Sequence, residues 1–400
     1  MSRKVVRRSA NSIEKKFLAG LDSWQHPADG SFWQAATEGF RLQAWSGGRL
    51  KIDVACGETK DVYDWASLTK VVLSVSNAMI EVGEGDLTLK DEIAAWLPEI
   101  SEGMSAQEIK RAGPPLTVKD ILSHSAGMTW WKPFYKSVSA RNPRDHEEAW
   151  AILSDLVTRD VRRRWLSGEI AKARKGAAIY SDLDFFLLGE ILRRSSLLTI
   201  PDQYARVQDR LNLAGTFFHA LSKRDLVGSG NSEQAGAVWN RDRRHLSAST
   251  ERDDDWRGRM LTGEVHDENA SSLFGFAPHA GLFGPIGDLS RYGLELRKLA
   301  RREKSRLPMA GEKFLRRSVP RARGDWALGF MMPTKGSASC GPRFSARSIG
   351  HTGFTGTSLW YDPGNDLLVT ILSNRVHPSR ENARFVKLRP ALHTFVVDAL

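Results

Sequence analysis

The sequence predicts an α/β (α+β) fold: one antiparallel sheet, built from both ends of the chain and flanked by terminal helices, with an inserted and mostly helical lobe. Strand-like alternation of apolar residues occurs near the N-terminus and again after residue 325, and the region between has helical periodicity. We expect the binding site in the cleft between the sheet and the helical lobe.

The N-terminal part of the chain predicts a helix and then a hairpin. RLQAWSGG and RLKIDVACG alternate apolar residues on either side of Gly47-Gly48, which is typical of two strands joined by a tight turn. From Ser67 the run SLTKVVLSVSNAMIEVGEG has helical spacing, and Gly83 and Gly85 predict its end. LTVKDILSHSAG, HEEAWAILSDLV and DLDFFLLGEILRRSS predict further helices.

The C-terminal part predicts the remaining strands. WALGFMM, FSARSIGHTGF, TSLWYD and LLVTILSN read as strands, and Pro363-Gly364 turns the last two against each other. ARFVKLRPALHTFVVDAL has helical spacing despite Pro390. We therefore expect a single domain over residues 1–400, with residues 1–66 and 275–400 in the sheet lobe and residues 67–274 in the helical lobe.

Composition restricts the class of protein. With 41% hydrophobic and 26% charged residues, the 400-residue chain is typical of a globular protein. No apolar run approaches the roughly 20 residues needed to span a bilayer. The stretch MSRKVVRRSANSIEKKFLAGL lacks the features of a secretory signal, which predicts a cytoplasmic protein. Cys56 and Cys340 are too few for a disulfide framework and are expected to be reduced, partly buried thiols.

The net charge of +11 favours anionic partners. Basic clusters at residues 162–164, 241–244 and 301–304 are spread along the chain without interleaved aromatic residues, so solvated faces explain them better than a nucleic-acid surface. We expect no nucleic-acid partner. A small-molecule or peptide substrate is expected, and an anionic one would suit the charge, whereas the sequence leaves the oligomeric state open.

The first chemical motif is SLTK, a Ser-x-x-Lys tetrad at a helix start. Ser67 and Lys70 lie on one face of a helix, close enough for proton transfer. A serine hydroxyl needs such a base to become a nucleophile, and a desolvated lysine can act as one. The tetrad also occurs by chance, since serine commonly caps helices. Alone it does not decide the function.

Two later motifs could converge on Ser67. Tyr180 and Asp182, in YSD before a helix, could shuttle a proton and accept a hydrogen bond from Lys70. They could equally be a packing aromatic and a helix cap. In GHTGF the glycines suggest close approach of another backbone or a ligand, and a strand edge there could offer the Phe354 N–H to an oxyanion. A β-bulge that happens to contain a histidine would explain the GHTGF motif equally well.

Together, in this order, SLTK, YSD and HTG resemble the three motifs of the serine β-lactamase and penicillin-binding protein superfamily. The likeness covers nearly the whole chain and is greatest for the branch of class C β-lactamases, DD-peptidases and esterases. LTVKDILSHSAGM, GEVHDENA, HAGLF and GHTGFTGTSLWYDP also resemble that branch. The resemblance implies a β-lactamase/transpeptidase-like fold.

The resemblance further implies an acyl-enzyme mechanism without metal or cofactor. Ser67 would be the nucleophile, with Lys70 and Tyr180 sharing the base and acid roles. The supporting residues would be Asp182 and His351, the oxyanion hole would comprise the backbone N–H groups of Ser67 and Phe354, and Thr352 and Gly353 would contact substrate.

Two residues depart from the family pattern. Asp182 stands where members that hydrolyse antibiotics usually have asparagine, and an ionised carboxylate lacks the amide's donor. His351 replaces a lysine, and a histidine near pH 7 is mostly neutral unless its surroundings perturb it. Both differences argue against efficient β-lactam hydrolysis.

Several functions remain open at this point. A serine hydrolase acting on ester or amide bonds is favoured, with muropeptide amides derived from the cell wall as one substrate class. The alternatives are a carboxylesterase on small acyl esters, a weak β-lactamase, and a non-catalytic ligand-binding or sensor protein on the same fold. The possible metal ligands His266, Asp267, Glu268 and His279 do not have a recognised metal-ligand spacing. We therefore expect a hydrogen-bonded loop and no metal site.

Overall fold

A computed structural model of the protein describes residues 10–219 and 245–400. The predicted basic cluster at residues 241–244 lies outside the described residues. The strands are β1 (Gly39–Ser46), β2 (Arg49–Gly57), β3 (Tyr63–Asp64), β4 (Phe217–Phe218), β5 (Ser249–Asp253), β6 (Arg259–Thr262), β7 (Leu282–Gly284), β8 (Ile349–Thr352), β9 (Ser358–Asp362) and β10 (Leu367–Ser373).

The α-helices lie mostly between β3 and β8. They are α1 (Ser12–Ser23), α2 (Ser76–Glu84), α3 (Ile93–Trp96), α4 (Ala106–Ala112), α5 (Val118–Leu122), α6 (Phe134–Ala140), α7 (His146–Leu166), α8 (Glu169–Ala173), α9 (Asp182–Ser196), α10 (Ile200–Leu211), α11 (Glu268–Ser272), α12 (Ile286–Ala300) and α13 (Arg384–Ala399). Within the described ranges, none of the helices is both long and apolar enough to cross a membrane.

The main sheet is antiparallel with the strand order β2-β1-β10-β9-β8, so strands from the two ends of the chain alternate in space. The predicted hairpin forms because Gly47 and Gly48 both take positive φ, 58° and 74°, as a two-residue turn of this kind requires. β8 lies at the outer edge of the sheet. Its Gly350 forms an isolated bridge with Met331, and the next two residues, His351 and Thr352, line a cavity.

Helices cover both faces of this sheet. On one face α1 packs against α13, where a side chain on Gly20 would collide with Phe395. On the other face α12 approaches so closely that a side chain on Gly293 would meet Leu368 at 2.6 Å. Both cysteines are completely buried in the first of these layers, more deeply than the sequence predicted.

The segment WALGFMM is not the strand predicted from its sequence. The chain reverses between Ala327 and Phe330, where the Ala327 N–H donates to the Phe330 carbonyl. Only isolated bridges form in this run. Gly329, with φ 81°, allows the reversal and packs directly on Val75. Similarly, only the end of FSARSIGHTGF is extended, because the strand begins at Ile349. The apolar residues of WALGFMM alternate because residues on both sides of this turn are buried in the core.

Two small sheets were not predicted. β3, β7 and β4 form a three-stranded sheet, and β5 pairs with β6. β3 and β4 have two residues each, too short to show a period-2 pattern. The first of these sheets matters for function because β3 leads directly into the turn that carries Ser67.

Candidate active site

The turn before Ser67 is held by the buried carboxylate of Asp64. Its Oδ1 accepts the Ala66 N–H at 2.7 Å and its Oδ2 accepts the His266 N–H at 2.8 Å. Burial raises the pKa of Asp64. Ala66 has a φ of 48°, in the left-handed region that residues other than glycine seldom occupy. This turn places Ser67 at the start of the following helix.

That helix differs from the regular helix predicted from Ser67. A π-helical segment, Lys70–Val75, precedes α2, which continues through Gly83 and ends where Gly85 adopts φ 94°. Wide turns of this type are rare and often accompany functional sites. Lys70 still lies beside Ser67, as the i, i+3 spacing predicts.

The ammonium group of Lys70 contacts three oxygen atoms, donating hydrogen bonds to two of them and forming an ion pair with the third. Its Nζ lies 3.0 Å from the Ser67 Oγ, 2.7 Å from the Asp182 Oδ1 and 3.2 Å from the His279 carbonyl oxygen. The side chain is completely buried, and Nζ also lies 5.0 Å from the centre of the Tyr180 ring. Lys70 is therefore held in a single position against the serine.

Tyr180 approaches Ser67 from the other side. Its hydroxyl donates to the Ser67 Oγ at 2.8 Å. Its ring stacks on Trp326 and lies 4.9 Å from the His124 ring, measured between centroids. Burial, reinforced by the charge of Asp182, raises the pKa of Tyr180 well above its ordinary value. The phenol is therefore protonated at neutral pH.

A buried pair, His124 and Asp184, supports Tyr180 from behind. The His124 Nδ1 lies 2.9 Å from the Asp184 Oδ2 and also accepts the Ser181 N–H at 3.2 Å. Burial lowers the pKa of His124 well below its ordinary value and raises that of Asp184 well above it. Nδ1 is thus an acceptor, and the neutral Asp184 carboxyl donates to it. Neither residue was singled out from the sequence.

A second pair, Asp267 and His279, lies beside Lys70. The His279 Nε2 lies 3.0 Å from the Asp267 Oδ1. Burial would raise the pKa of Asp267, but the His279 ring and the charge of Lys70 hold it below its ordinary value. Donor atoms of Asp182, Asp267 and His279 lie within 4.8 Å of one another, close enough to be metal ligands. Lys70 already supplies a cation to this group.

The third motif packs tightly against the serine turn. A side chain on Gly353 would meet the Trp65 carbonyl oxygen at 2.5 Å and the Thr357 Oγ1 at 2.1 Å. The Thr357 hydroxyl donates to that same Trp65 carbonyl at 3.0 Å, and the Thr355 hydroxyl donates to the Asp64 carbonyl at 2.8 Å. These contacts bring the end of β8 against the segment that carries Ser67.

His351 is buried near the end of β8, and its side chain makes only one hydrogen bond within the described residues. Its Nδ1 donates to the Thr352 carbonyl at 2.9 Å, and its Nε2 has no partner. Burial and the nearby charge of Lys70 lower the pKa of His351 to about 3. It therefore carries no charge at neutral pH and does not replace the positive charge of a lysine.

Two residues that line the same cavity have backbone N–H groups without a protein acceptor in the described part of the chain. In the part of the chain that the structure describes, the N–H groups of Ser67 and Phe354 donate to no protein atom. Both residues line the cavity, whose volume is about 500 Å³. Its aromatic and charged walls include Trp130, Trp131, Trp326, Glu268, Arg375, Arg380 and Arg389.

The structure brings together all eight residues proposed from the sequence. Of these, Ser67, Tyr180, Asp182, His351, Thr352, Gly353 and Phe354 line the cavity, and Lys70 lies directly behind Ser67. The sequence did not predict that Arg375, Arg380 and Arg389 line the same cavity. A signal for Arg389 exists in retrospect, because it lies on the apolar face of α13 between Leu388 and Leu392.

Comparisons with known proteins identify the family and the fold. The β-lactamase family model matches residues 33–391. A putative D-alanyl-D-alanine carboxypeptidase of Salmonella agona (strain SL483) is 27% identical over 376 residues, which are 89% of this chain and 81% of that protein. A penicillin-binding protein homologue from Caulobacter crescentus has a TM-score of 0.61 at 18% identity, covering 98% of this chain and 100% of its own. A class C β-lactamase variant has a TM-score of 0.62 at 14% identity, covering 98% and 100%.

Gly353→Ala should disrupt the site with little effect on the remainder of the fold. The new methyl group would overlap the Trp65 carbonyl, so the end of β8 must move away from Ser67. We expect the rate of acylation to fall at least about 100-fold, in line with the cost of a misplacement near 1 Å. Gly287→Ala is the control, since no atom lies within 4 Å of its added methyl group. Equal acylation rates for the two variants would contradict the proposed close packing.

His351→Gln should weaken the dependence of stability on pH. Between about pH 6.5 and 3 the unfolded chain binds a proton at His351 and the folded protein does not, so wild-type stability falls as the pH drops through this window. The variant should lose up to about 1.4 kcal/mol per pH unit of that slope. Urea unfolding at several pH values measures it. Parallel slopes for the two proteins would show that His351 is protonated when folded.

Proposed function

Because the chain belongs to the β-lactamase family and is a serine hydrolase, we propose that Ser67 is its nucleophile and that it cleaves amide bonds through an acyl-enzyme. One observation carries the assignment: the Lys70 Nζ and the Tyr180 hydroxyl both contact the Ser67 Oγ, at 3.0 and 2.8 Å. Two proton-carrying groups on one hydroxyl are what acyl transfer requires. A ligand-binding protein has no need of either contact.

Proton movement is assigned to Lys70 and Tyr180 together. As the Ser67 Oγ bonds to the carbonyl carbon, its proton passes to the Tyr180 oxygen while Tyr180 gives its own proton to the departing nitrogen, and the C–N bond breaks. The Lys70 ammonium stays beside the Ser67 Oγ and stabilises the oxygen as it loses its proton. Water then attacks the acyl carbon, its proton passes to Tyr180, and the Tyr180 proton returns to the Ser67 Oγ as the ester bond breaks. Asp182 keeps the Lys70 ammonium in position by its ion pair at 2.7 Å.

Negative charge on the carbonyl oxygen is stabilised by the N–H groups of Ser67 and Phe354. Neither N–H has a protein acceptor among the described residues, and both line the cavity. Donors already oriented toward a developing charge contribute strongly to such reactions. Thr352 and Gly353, at the edge strand β8, are assigned to the substrate backbone, which would pair along this edge as an added strand.

The substrate class is a peptide amide, with muropeptides from the cell wall as the favoured source. The curated relatives from Salmonella that are 27–28% identical are described as putative D-alanyl-D-alanine carboxypeptidases. Efficient β-lactam hydrolysis is disfavoured, because Asp182 cannot donate as an asparagine would while it pairs with Lys70, and the neutral His351 offers no charge to a β-lactam carboxylate.

Ser67→Ala should abolish covalent labelling and turnover while the fold is retained. We expect one adduct per wild-type chain after treatment with a fluorophosphonate probe, mapping to Ser67, and none on the variant. Intact-mass analysis measures the adduct, and hydrolysis of peptide amides, aryl esters and a β-lactam measures turnover. Ser139→Ala, at an exposed serine, should label like wild type. An adduct that survives Ser67→Ala would contradict the assigned nucleophile.

Tyr180→Phe should slow the chemical step without removing the binding site. The variant loses the hydrogen bond to the Ser67 Oγ and the proton donor for the leaving group, so we expect kcat for an amide to fall roughly 100- to 10,000-fold. An ester with an acidic phenol as leaving group needs less protonation and should lose much less. Equal losses for amide and ester would contradict the role as proton donor.

A further inference from the structure

His124 holds the backbone on both sides of Tyr180. Its carbonyl oxygen accepts the Ile179 N–H at 3.0 Å, and its ring Nδ1 accepts the Ser181 N–H at 3.2 Å. Ile179 and Ser181 are the residues directly before and after Tyr180. His124 and Ser181 are 57 residues apart in the chain. The position of Tyr180 is therefore set by a distant segment and not by its own sequence neighbours alone.

The imidazole of His124 also forms one wall of the space that the Tyr180 ring occupies. The centroids of these two rings are 4.9 Å apart, and those of His124 and Trp326 are 4.6 Å apart in an edge-to-face arrangement. Trp326 in turn stacks on Tyr180. Each of the three rings thus packs against the other two. Because a close-packed interior transmits displacements, a shift of the imidazole must also move the phenol.

The carboxyl group of Asp184 fixes the orientation of this imidazole. Its Oδ2 lies 2.9 Å from the His124 Nδ1, and both side chains are buried. Asp184 lies in the first turn of α9, the helix that begins at Asp182 directly after the tyrosine motif. The contact therefore couples the imidazole to the helix that carries Asp182.

The fold keeps His124 in place although two of its features are unfavourable. Its φ is 53°, in the left-handed region that residues other than glycine seldom occupy. It is 1% exposed, and its Nε2 has no hydrogen-bond partner among the described residues. A buried polar atom without a partner destabilises a folded protein. Strained residues that a structure retains are concentrated at functional sites, which indicates a role for this one.

We propose that His124 is a positioning residue that holds the Tyr180 hydroxyl against the Ser67 Oγ. The inference rests on the proposed function, in which Tyr180 delivers the proton to the leaving group across the 2.8 Å contact. His124 is not among the residues that line the cavity, so it acts on the reaction only through Tyr180. The acceptor Nδ1 is the atom on which this role depends.

His124→Phe should slow the chemical step, because phenylalanine keeps a ring beside Tyr180 but has no acceptor for the Ser181 N–H. We expect kcat for a peptide amide to fall at least about tenfold while KM stays near its wild-type value. An aryl ester with an acidic phenol as leaving group should lose less. His124→Leu gives the same comparison should the phenylalanine variant fail to fold.

A double variant tests whether His124 acts through Tyr180. Tyr180→Phe lacks the hydroxyl that His124 is proposed to position, so adding His124→Phe to it should cause no further loss of kcat. Two independent defects would instead multiply.

His124→Asn should recover most of the kcat that His124→Phe loses. The asparagine Oδ1 is bonded to Cγ as the histidine Nδ1 is, so it can accept the Ser181 N–H, and asparagine tolerates a positive φ. His146→Phe is the matched control. His146, at the start of α7, is 6% exposed and its Nε2 lies 3.0 Å from the Phe276 carbonyl oxygen. Its replacement should lower the melting temperature and leave kcat unchanged.

A crystal structure of His124→Phe tests the positioning without any measurement of activity. We expect the distance between the Tyr180 hydroxyl and the Ser67 Oγ to increase from 2.8 Å to more than about 3.5 Å, beyond hydrogen-bond range. An unchanged distance would overturn the proposal. So would a further loss of kcat in the double variant, or a His124→Asn protein no more active than His124→Phe. If the wild type hydrolyses neither amides nor esters, the proposed function fails, and the measured distance still decides the role of His124.

Discussion

The site depends on the contact between the turn after β8 and the backbone before Ser67. Gly353 lies against the Trp65 carbonyl with no room for a side chain, and the hydroxyls of Thr355 and Thr357 bond to carbonyls of the same segment. Thr355 and its partner Asp64 are 291 residues apart in the chain. This single contact sets the distance between Ser67 and Phe354, the residues proposed as nucleophile and second oxyanion donor.

Charge in the cavity is divided into two regions. Around Ser67 the Lys70 ammonium donates two hydrogen bonds and pairs with Asp182, and the neutral His351, Tyr180 and the His124–Asp184 pair add no net charge. On the Phe354 side, arginines outnumber the carboxylates. The Ser67 hydroxyl therefore lies among groups whose charges are nearly balanced, while the excess positive charge lies on the Phe354 side of the cavity.

The local sequence pattern predicted the long helices and strands, and the family resemblance supplied the candidate site residues. Both were incomplete where contacts between distant segments determine the local structure. The hairpin at Gly47-Gly48 and the helix beginning at Asp182 follow from periodicity and turn chemistry, as predicted. WALGFMM has the apolar alternation of a strand, but the chain reverses at Gly329, which packs against Val75. The position of His124 depends on Asp184 and Ser181, partners that no local pattern can show.

The alternation of strands from the two ends of the chain also constrains how the protein can form during its synthesis. β1 lies between β2 and β10, so the N-terminal hairpin leaves the ribosome with one edge unpaired and keeps it until residue 373 has emerged. The inserted helical lobe is completed in that interval. Because the backbone before Ser67 meets the turn after β8 only when Thr357 has been added, the oxyanion hole proposed for Ser67 and Phe354 would form late in synthesis.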